Sequence, residues 1–448
     1  MHARSSIYPY SMWRYLFPRL RLFPLCLLTF LLLCTVEASA EAELLPTAIP
    51  TEELAQDLPT QTETVPDDAS LLQAIGAEEL QARNPETEQT VVNDAEANTL
   101  QAGRPEPTLD LLGTRIAPGE IRRLLWIAGE TTYGSKLETP VYVIRGTRPG
   151  PALCLTAAVH GDELNGVEII RKLVSDISPK KLNGTVIGVP IVNLLGFTRG
   201  TRYLPDRRDL NRYFPGNPEG SSASRIAFSF FEDIVRHCDM LIDLHTGSLT
   251  RTNMPQVRAN LQIPEVLDFT TKFGSTAVLH STKLRGNLRS AATNYGIPAV
   301  ALELGEPGSL QMEHVDEGVE IIETVLSGLG MTRQLWKGGE SQPVFYSSRW
   351  VRVNTGGLLI SSVEVGERIQ QGAVLGSMVN PITNESFDVV SPYSGRVLGM
   401  ALNQFMLPGY AAFNIGIVAD KAEVVDDARS FSCINAELEP DQIPEELE

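Results

Sequence analysis

Three apolar runs in the middle of the chain each stop on a residue able to bind a metal or move a proton. Residues 152–159 lead into His160, residues 240–244 into His245 and residues 299–302 into Glu303. Short, almost continuously apolar runs bounded by turn residues belong in a sheet covered on both faces. Pro149-Gly150-Pro151 turns the chain ahead of the first run, after another strand candidate at 141–145. Between the runs the period changes. Leu164, Val167, Ile170, Leu173 and Val174 recur at helical spacing, Gly184 precedes an apolar stretch at 185–192, and residues 228–236 and 291–295 read as further helices. This alternation predicts an α/β class with a mixed central sheet flanked by helices.

In such sheets ligands gather at the carboxyl ends of the strands, so the residues that end the three runs are the first candidates for chemistry. An imidazole at His160 and a carboxylate at Glu163, on the first turn of the following helix, can converge on one ion. The spacing alone is common. His245, in the corresponding place on the second run, completes two His and one Glu, the ligand set of a catalytic zinc site. Three protein ligands leave one coordination position to water, which zinc acidifies to a pKa near 7. Glu303 is the candidate general base, and Glu306, in the turn that follows, is its competitor. His237, His280 and His314 are expected to stay away from the metal.

These residues resemble the succinylglutamate desuccinylase/aspartoacylase family, a branch of the carboxypeptidase A-like zinc hydrolases. The resemblance rests on four motifs in the family's order: Ala158-Val159-His160-Gly161-Asp162-Glu163, Asp209-Leu210-Asn211-Arg212, Asp243-Leu244-His245-Thr246 and Leu302-Glu303-Leu304-Gly305. It implies that His160, Glu163 and His245 bind one zinc ion per chain, that Glu303 promotes water, and that Asp209 steadies His160. It further implies that Asn211 and Arg212 hold the substrate carboxylate, for which a guanidinium fork is well shaped. Arg202 resembles the arginine that polarises the scissile carbonyl, and Arg289 a further substrate-binding arginine. Arg251 and Arg258 could also face an anionic substrate, but they read first as surface arginines in a loop.

The remaining sequence sets the context. Arg4, Arg14, Arg19 and Arg21 precede an apolar run at 22–36 and the stretch Ala38-Ser39-Ala40, the order of a secretory signal cleaved after Ala40. A periplasmic or secreted protein without a permanent membrane span is expected, since the run is short of the roughly twenty residues of a span. Residues 41–107 hold fifteen acidic residues against Arg83 and Arg104, and such an acidic, aromatic-poor leader is expected to be disordered. The net charge of -18 makes nucleic acid an unsuitable partner. Cys154, Cys238 and Cys433, an odd and sparse set, read as buried thiols rather than a disulfide framework.

A catalytic domain at 108–337 is expected to be followed by a glycine-punctuated all-β module at 338–425 and an acidic tail at 426–448. The module looks like the lipoyl-type barrel that follows this catalytic domain in the family. Residues 380–390 contain no lysine, so a covalent carrier role does not suit it. The function these features predict is zinc-dependent hydrolysis of the amide of an N-acyl amino acid or a related small carboxylate-bearing amide. A carboxypeptidase acting on short peptides, including cell-wall peptides, and a non-catalytic ligand-binding protein on the same fold are the alternatives.

Overall fold

The computed structural model describes residues 109–131, 133–282, 285–333 and 342–417. The signal, the acidic leader, the acidic tail and Cys433 lie outside them. A small hairpin of β1 (Leu109–Leu111) and β2 (Thr114–Ile116) precedes the main sheet. The long antiparallel pair β3 (Ile121–Glu130) and β4 (Lys136–Arg145) forms one edge of that sheet, with β3 outermost.

Four parallel strands make the centre: β5 (Arg148–Ala157), β6 (Asn183–Val189), β7 (Met240–His245) and β10 (Ala299–Gly305), in the spatial order β6-β5-β7-β10. Successive side chains of β5 point to opposite faces. Leu153, Leu155 and Ala157 enter one core with Ile169, Ile170 and Leu173 of α1 (Asn165–Asp176), while Cys154 and Val159 enter the other. All of these side chains are buried, and each of the leucines contributes roughly 1.5–3 kcal/mol by leaving water.

The first core is completed by α6 (Met312–Gly328) and by α4 (Pro264–Thr270). The second is closed by α3 (Ser222–Asp233), α5 (Leu288–Asn294) and the buried Trp126 of β3, whose ring meets Phe230 edge-on at 5.0 Å. The short α2 (Leu194–Phe197) lies against the loop that follows β5. A side chain at Gly161 would come within 2.0 Å of the Gly196 carbonyl carbon, so this contact requires glycine. From β5 the chain goes to β6 on one side and later returns to β7 on the other. The carboxyl ends of β5 and β7 therefore flank a topological switch point, where a crevice opens.

Beyond β10 the sheet continues with antiparallel β8 (Arg251–Ala259), which is also paired with β9 (Ala277–His280). From Val344 onward every described element is a strand: β11 (Val344–Phe345), β12 (Ser347–Arg352), β13 (Gly357–Ser361), β14 (Arg368–Ile369), β15 (Val374–Val379), β16 (Ser386–Val390), β17 (Gly395–Ala401), β18 (Phe405–Met406) and β19 (Ala411–Ile417). Four of them, in the order β16-β15-β13-β18, form a separate sheet. That sheet shares a core of Leu359, Leu375, Val397, Phe413 and Ile415 with β17 and β19. These C-terminal strands are joined to the central sheet, because β17 pairs with β8 and carries β19 and β12 with it.

One reading of the sequence is overturned. Cys154 and Cys238 are not thiols but a disulfide, with Cα atoms 5.7 Å apart and 84 residues between them in sequence. Cys154 stands opposite Leu241 where β5 and β7 pair, and Cys238 lies just ahead of β7, so sheet pairing sets the two side by side. An odd cysteine count could not show this adjacency.

Candidate metal centre and active site

The site is assembled at the ends of β5, β7 and β10. β5 ends at Ala157, and Ala158 takes a left-handed backbone with φ 48° that turns the chain and places His160 in the crevice. Glu163 N donates to His160 O at 3.3 Å in the following turn, so Glu163 precedes α1 rather than standing on its first turn. His245 is the last residue of β7 and stands in register with Glu303 of β10.

The two imidazoles present equivalent atoms. His160 Nδ1 lies 2.9 Å from Glu163 Oε1, and His245 Nδ1 lies 2.8 Å from Glu163 Oε2. Behind each ring stands an aspartate: Asp209 Oδ1 is 3.2 Å from His160 Nε2, and Asp243 Oδ2 is 2.7 Å from His245 Nε2. Asp243 is fixed in turn by Thr156 Oγ1, which donates to its Oδ1 at 2.6 Å across the β5–β7 pair. An aspartate on Nε2 sets the tautomer and orientation that leave Nδ1 to a metal. The three residues are buried and can bring one donor atom each within 4.8 Å of the others; among the described residues no other group of three does so.

The charges agree with a cation in this place. Burial and Arg202 push His160 down, but Glu163 and Asp209 outweigh them and hold the imidazole up at about 9. For His245, burial is outweighed by Asp243 and Glu163, which lift it well above the usual imidazole range. Burial would raise Glu163, yet the two imidazoles hold it far below the usual carboxylate range. Protons therefore occupy positions that a divalent ion can take over, and two nitrogens with one carboxylate oxygen are a donor set suited to a catalytic metal.

Around this centre lies a cavity of about 50 Å³ whose lining includes Arg202, Asn211, Arg289 and Glu303. Arg202 reaches Asp209 Oδ2 at 3.0 Å and lies 3.4 Å from Glu163 Oε1. Asn211 accepts from Leu288 N at 2.9 Å and is held by its own N–H to Asp209. Arg289 is buried against Ser281; burial, then the neighbouring Arg258, bring its pKa down to about 10. Arg212 stands apart: it donates to Asn211 O, lies 4.0 Å from Asp209 and does not line the cavity. Glu306 is outside the lining as well, its N–H donating to Gln311.

The structure adds residues that the sequence reading left without a role or read first as surface residues. Asp243 orients His245, and the two-residue strand period, which puts both on one face, was the available signal. Arg251 and Arg258 lie on strand β8 and line the cavity rather than sitting in a surface loop. Arg258 Nε is 3.4 Å from Glu303 Oε1, and Asn253 Nδ2 donates to Glu303 Oε2 at 3.0 Å. Trp350 of β12 closes the lining from the C-terminal strands.

Residues 149–329, which carry His160, Glu163 and His245, match the model of the succinylglutamate desuccinylase/aspartoacylase catalytic domain. Over these residues the chain belongs to the succinylglutamate desuccinylase/aspartoacylase catalytic-domain family. Within reach of this family by sequence, the N-alpha-acetyl-L-2,4-diaminobutyric acid deacetylase of Halomonas elongata is 28% identical over 339 residues, covering 72% of this chain and 97% of that relative. Two solved structures share the family fold. The succinylglutamate desuccinylase/aspartoacylase from Rhodobacter sphaeroides has 24% identity and a TM-score of 0.59, over 66% of this chain and 94% of that one. The product-bound ectoine utilization protein EutE (DoeB) from Ruegeria pomeroyi has 22% identity and a TM-score of 0.60, over 68% of this chain and 98% of that one.

Proposed function

We propose that this chain is an exported, zinc-dependent amide hydrolase that removes the acyl group from an N-acyl amino acid or a related small amide bearing a carboxylate. The observation that carries the reading is the pair of inward-facing Nδ1 atoms on Glu163, each imidazole braced by its own aspartate, with Glu303 in register beside His245. The deacetylase named for the Halomonas relative supports the reaction class. Zinc held by His160, Glu163 and His245 would supply Lewis acidity and acidify water.

The chain's own residues account for the rest. Glu303, fixed by Asn253 and Arg258, accepts a proton from the attacking water at a carboxylate oxygen and returns it to the leaving amine nitrogen. Arg202 directs N–H donors to the oxygen that gains negative charge as the carbonyl carbon becomes tetrahedral. Asn211 and Arg289 take the substrate carboxylate, and Arg212 braces Asp209 and the Asn211 backbone from behind. A cavity of about 50 Å³ accommodates a few waters, at roughly 10–15 Å³ each, or a short acyl group. The Cys154–Cys238 disulfide supports the exported address, because disulfides persist in oxidising compartments.

The test is elemental analysis of the purified chain together with amine release from a panel of Nα-acetyl amino acids and dipeptides. About one zinc per chain and turnover of an acetyl amino acid are expected. Turnover confined to the dipeptides would favour a carboxypeptidase, and a fully zinc-loaded protein inactive on the whole panel would overturn the hydrolase reading.

A further inference from the structure

A larger cavity, of about 610 Å³, lies at the amino ends of β5 and β6, on the opposite rim of the sheet from the metal centre. Its volume falls within the range of about 300–1,000 Å³ usual for small-molecule sites. Four cations line it: Arg148, the first residue of β5, Lys180 and Lys181 in the turn ahead of β6, and Arg333 beyond α6. Asp176 and Glu323 are the acids of the described lining, yet among the described residues no carboxylate is within ion-pair distance of any of the four. Two buried polar atoms of the lining, Arg148 Nε and Thr332 Oγ1, have no hydrogen-bond partner among the described residues.

Basic side chains beside helix ends ordinarily serve the last carbonyls. Both α1 and α6 end at this cavity, but the chain itself takes those carbonyls. Leu173 O accepts from Ile177 N at 3.0 Å, Val325 O from Leu329 N at 2.9 Å and Leu326 O from Met331 N at 2.8 Å. Even with each helix end counted as roughly half a negative charge, the two ends and the two acids leave the lining net positive. The reaction at the metal centre does not use this charge either. The twelve residues of α1 separate Asp176 from the Glu163 end by about 18 Å.

We propose that this cavity is a second binding site, separate from the metal centre, for a small organic anion carrying two or more negative charges on a short apolar body. Arg148 anchors it, because a guanidinium fork matches carboxylate or phosphate oxygens two at a time, and the lysines hold a further charge as point cations. The oxygens of such an anion bring acceptors to the Arg148 and Thr332 donors that the chain leaves unsatisfied. Leu173, Ile177 and Leu326, also in the lining, cover the apolar body. The site stands apart from the amide-hydrolase reading, since no residue of the metal centre takes part in it.

The test is calorimetric titration of the full zinc-loaded chain with adipate and phenyl phosphate, and with adipamide and phenol as their neutral counterparts. Saturable binding of at least one charged probe is expected, adipate alone marking a carboxylate site and phenyl phosphate alone a phosphate site. Each neutral counterpart should bind about tenfold or more weakly, the scale of one hydrogen bond to a charged group. Arg148→Gln should weaken the charged probe by about the same factor, and Lys181→Gln, on the exposed rim, by about threefold. Lys181→Gln changes only an exposed side chain, so it tests the site even if Arg148→Gln does not fold. Hydrogen exchange with the probe bound should slow at residues 176–182 and stay unchanged around His160 and His245. No saturable binding of either charged probe, equal binding of the neutral counterparts, wild-type affinity in Lys181→Gln, or protection confined to the metal centre would each overturn the assignment.

Discussion

On one side of the cavity His160, Glu163 and His245 stand at the carboxyl ends of parallel strands, with every imidazole nitrogen facing a carboxylate. On the other side Arg251, Asn253 and Arg258 ride on antiparallel β8, and their surroundings are supplied partly by the C-terminal strands. The first half is self-contained, with local turns and adjacent central strands bringing all its parts together. The second half is a joint between two stretches of chain far apart in sequence. Charge divides in the same way. The first half is rich in carboxylates and suits a cation, whereas the second is rich in guanidinium groups and suits an anion.

Three perturbations bear on this contrast. His245→Ala should abolish the metal half alone: elemental analysis should show loss of most of the zinc, with turnover falling to background. Equal metal in wild type and variant would remove the assignment of that half. Glu303→Gln acts where the halves meet, since Glu303 is in register with His245 yet held by Asn253 and Arg258. Kcat should drop at least about a hundredfold while zinc content and thermal stability stay close to wild type. Glu306→Gln is the control and should cost little; a reversed result would put the base in the turn.

The third reaches the same carboxylate from the C-terminal strands. A side chain at Gly399 would come within 2.2 Å of Asn253 Oδ1, so Gly399→Ala must displace the amide that fixes Glu303. A loss of about tenfold in kcat with full zinc content is expected, the lower end of the scale of one hydrogen bond to a charged group. Wild-type kcat in a correctly folded Gly399→Ala protein would show that Asn253 does not position the base.

The contrast also explains what the sequence could reveal. His160, His245 and Glu303 end apolar runs, and a residue at the end of a central strand can be placed from the run alone. The helix after Glu163 and the strand character of 299–302 were legible for the same reason. β8 was not, because Arg251-Thr252-Asn253-Met254-Pro255-Gln256 is polar and contains proline, a composition that reads as loop. It is extended because β10 and β17 supply partners on both sides. Trp350 could not be assigned to the cavity until that pairing was known, and the Cys154–Cys238 contact likewise depends on which strands lie side by side.

The shared sheet also governs where this chain can be cut. In the intact protein Arg251, Thr252 and Asn253 pair with Ala401, Met400 and Gly399. A fragment ending before β11 would leave that half of β8 as a bare edge, with unpaired N–H and C=O groups ready to template against another molecule. The boundary that the change in texture suggests near residue 338 is therefore a poor place to trim. A shortened version keeping His160, Glu163 and His245 would exchange a cavity wall for a sticky rim and self-associate.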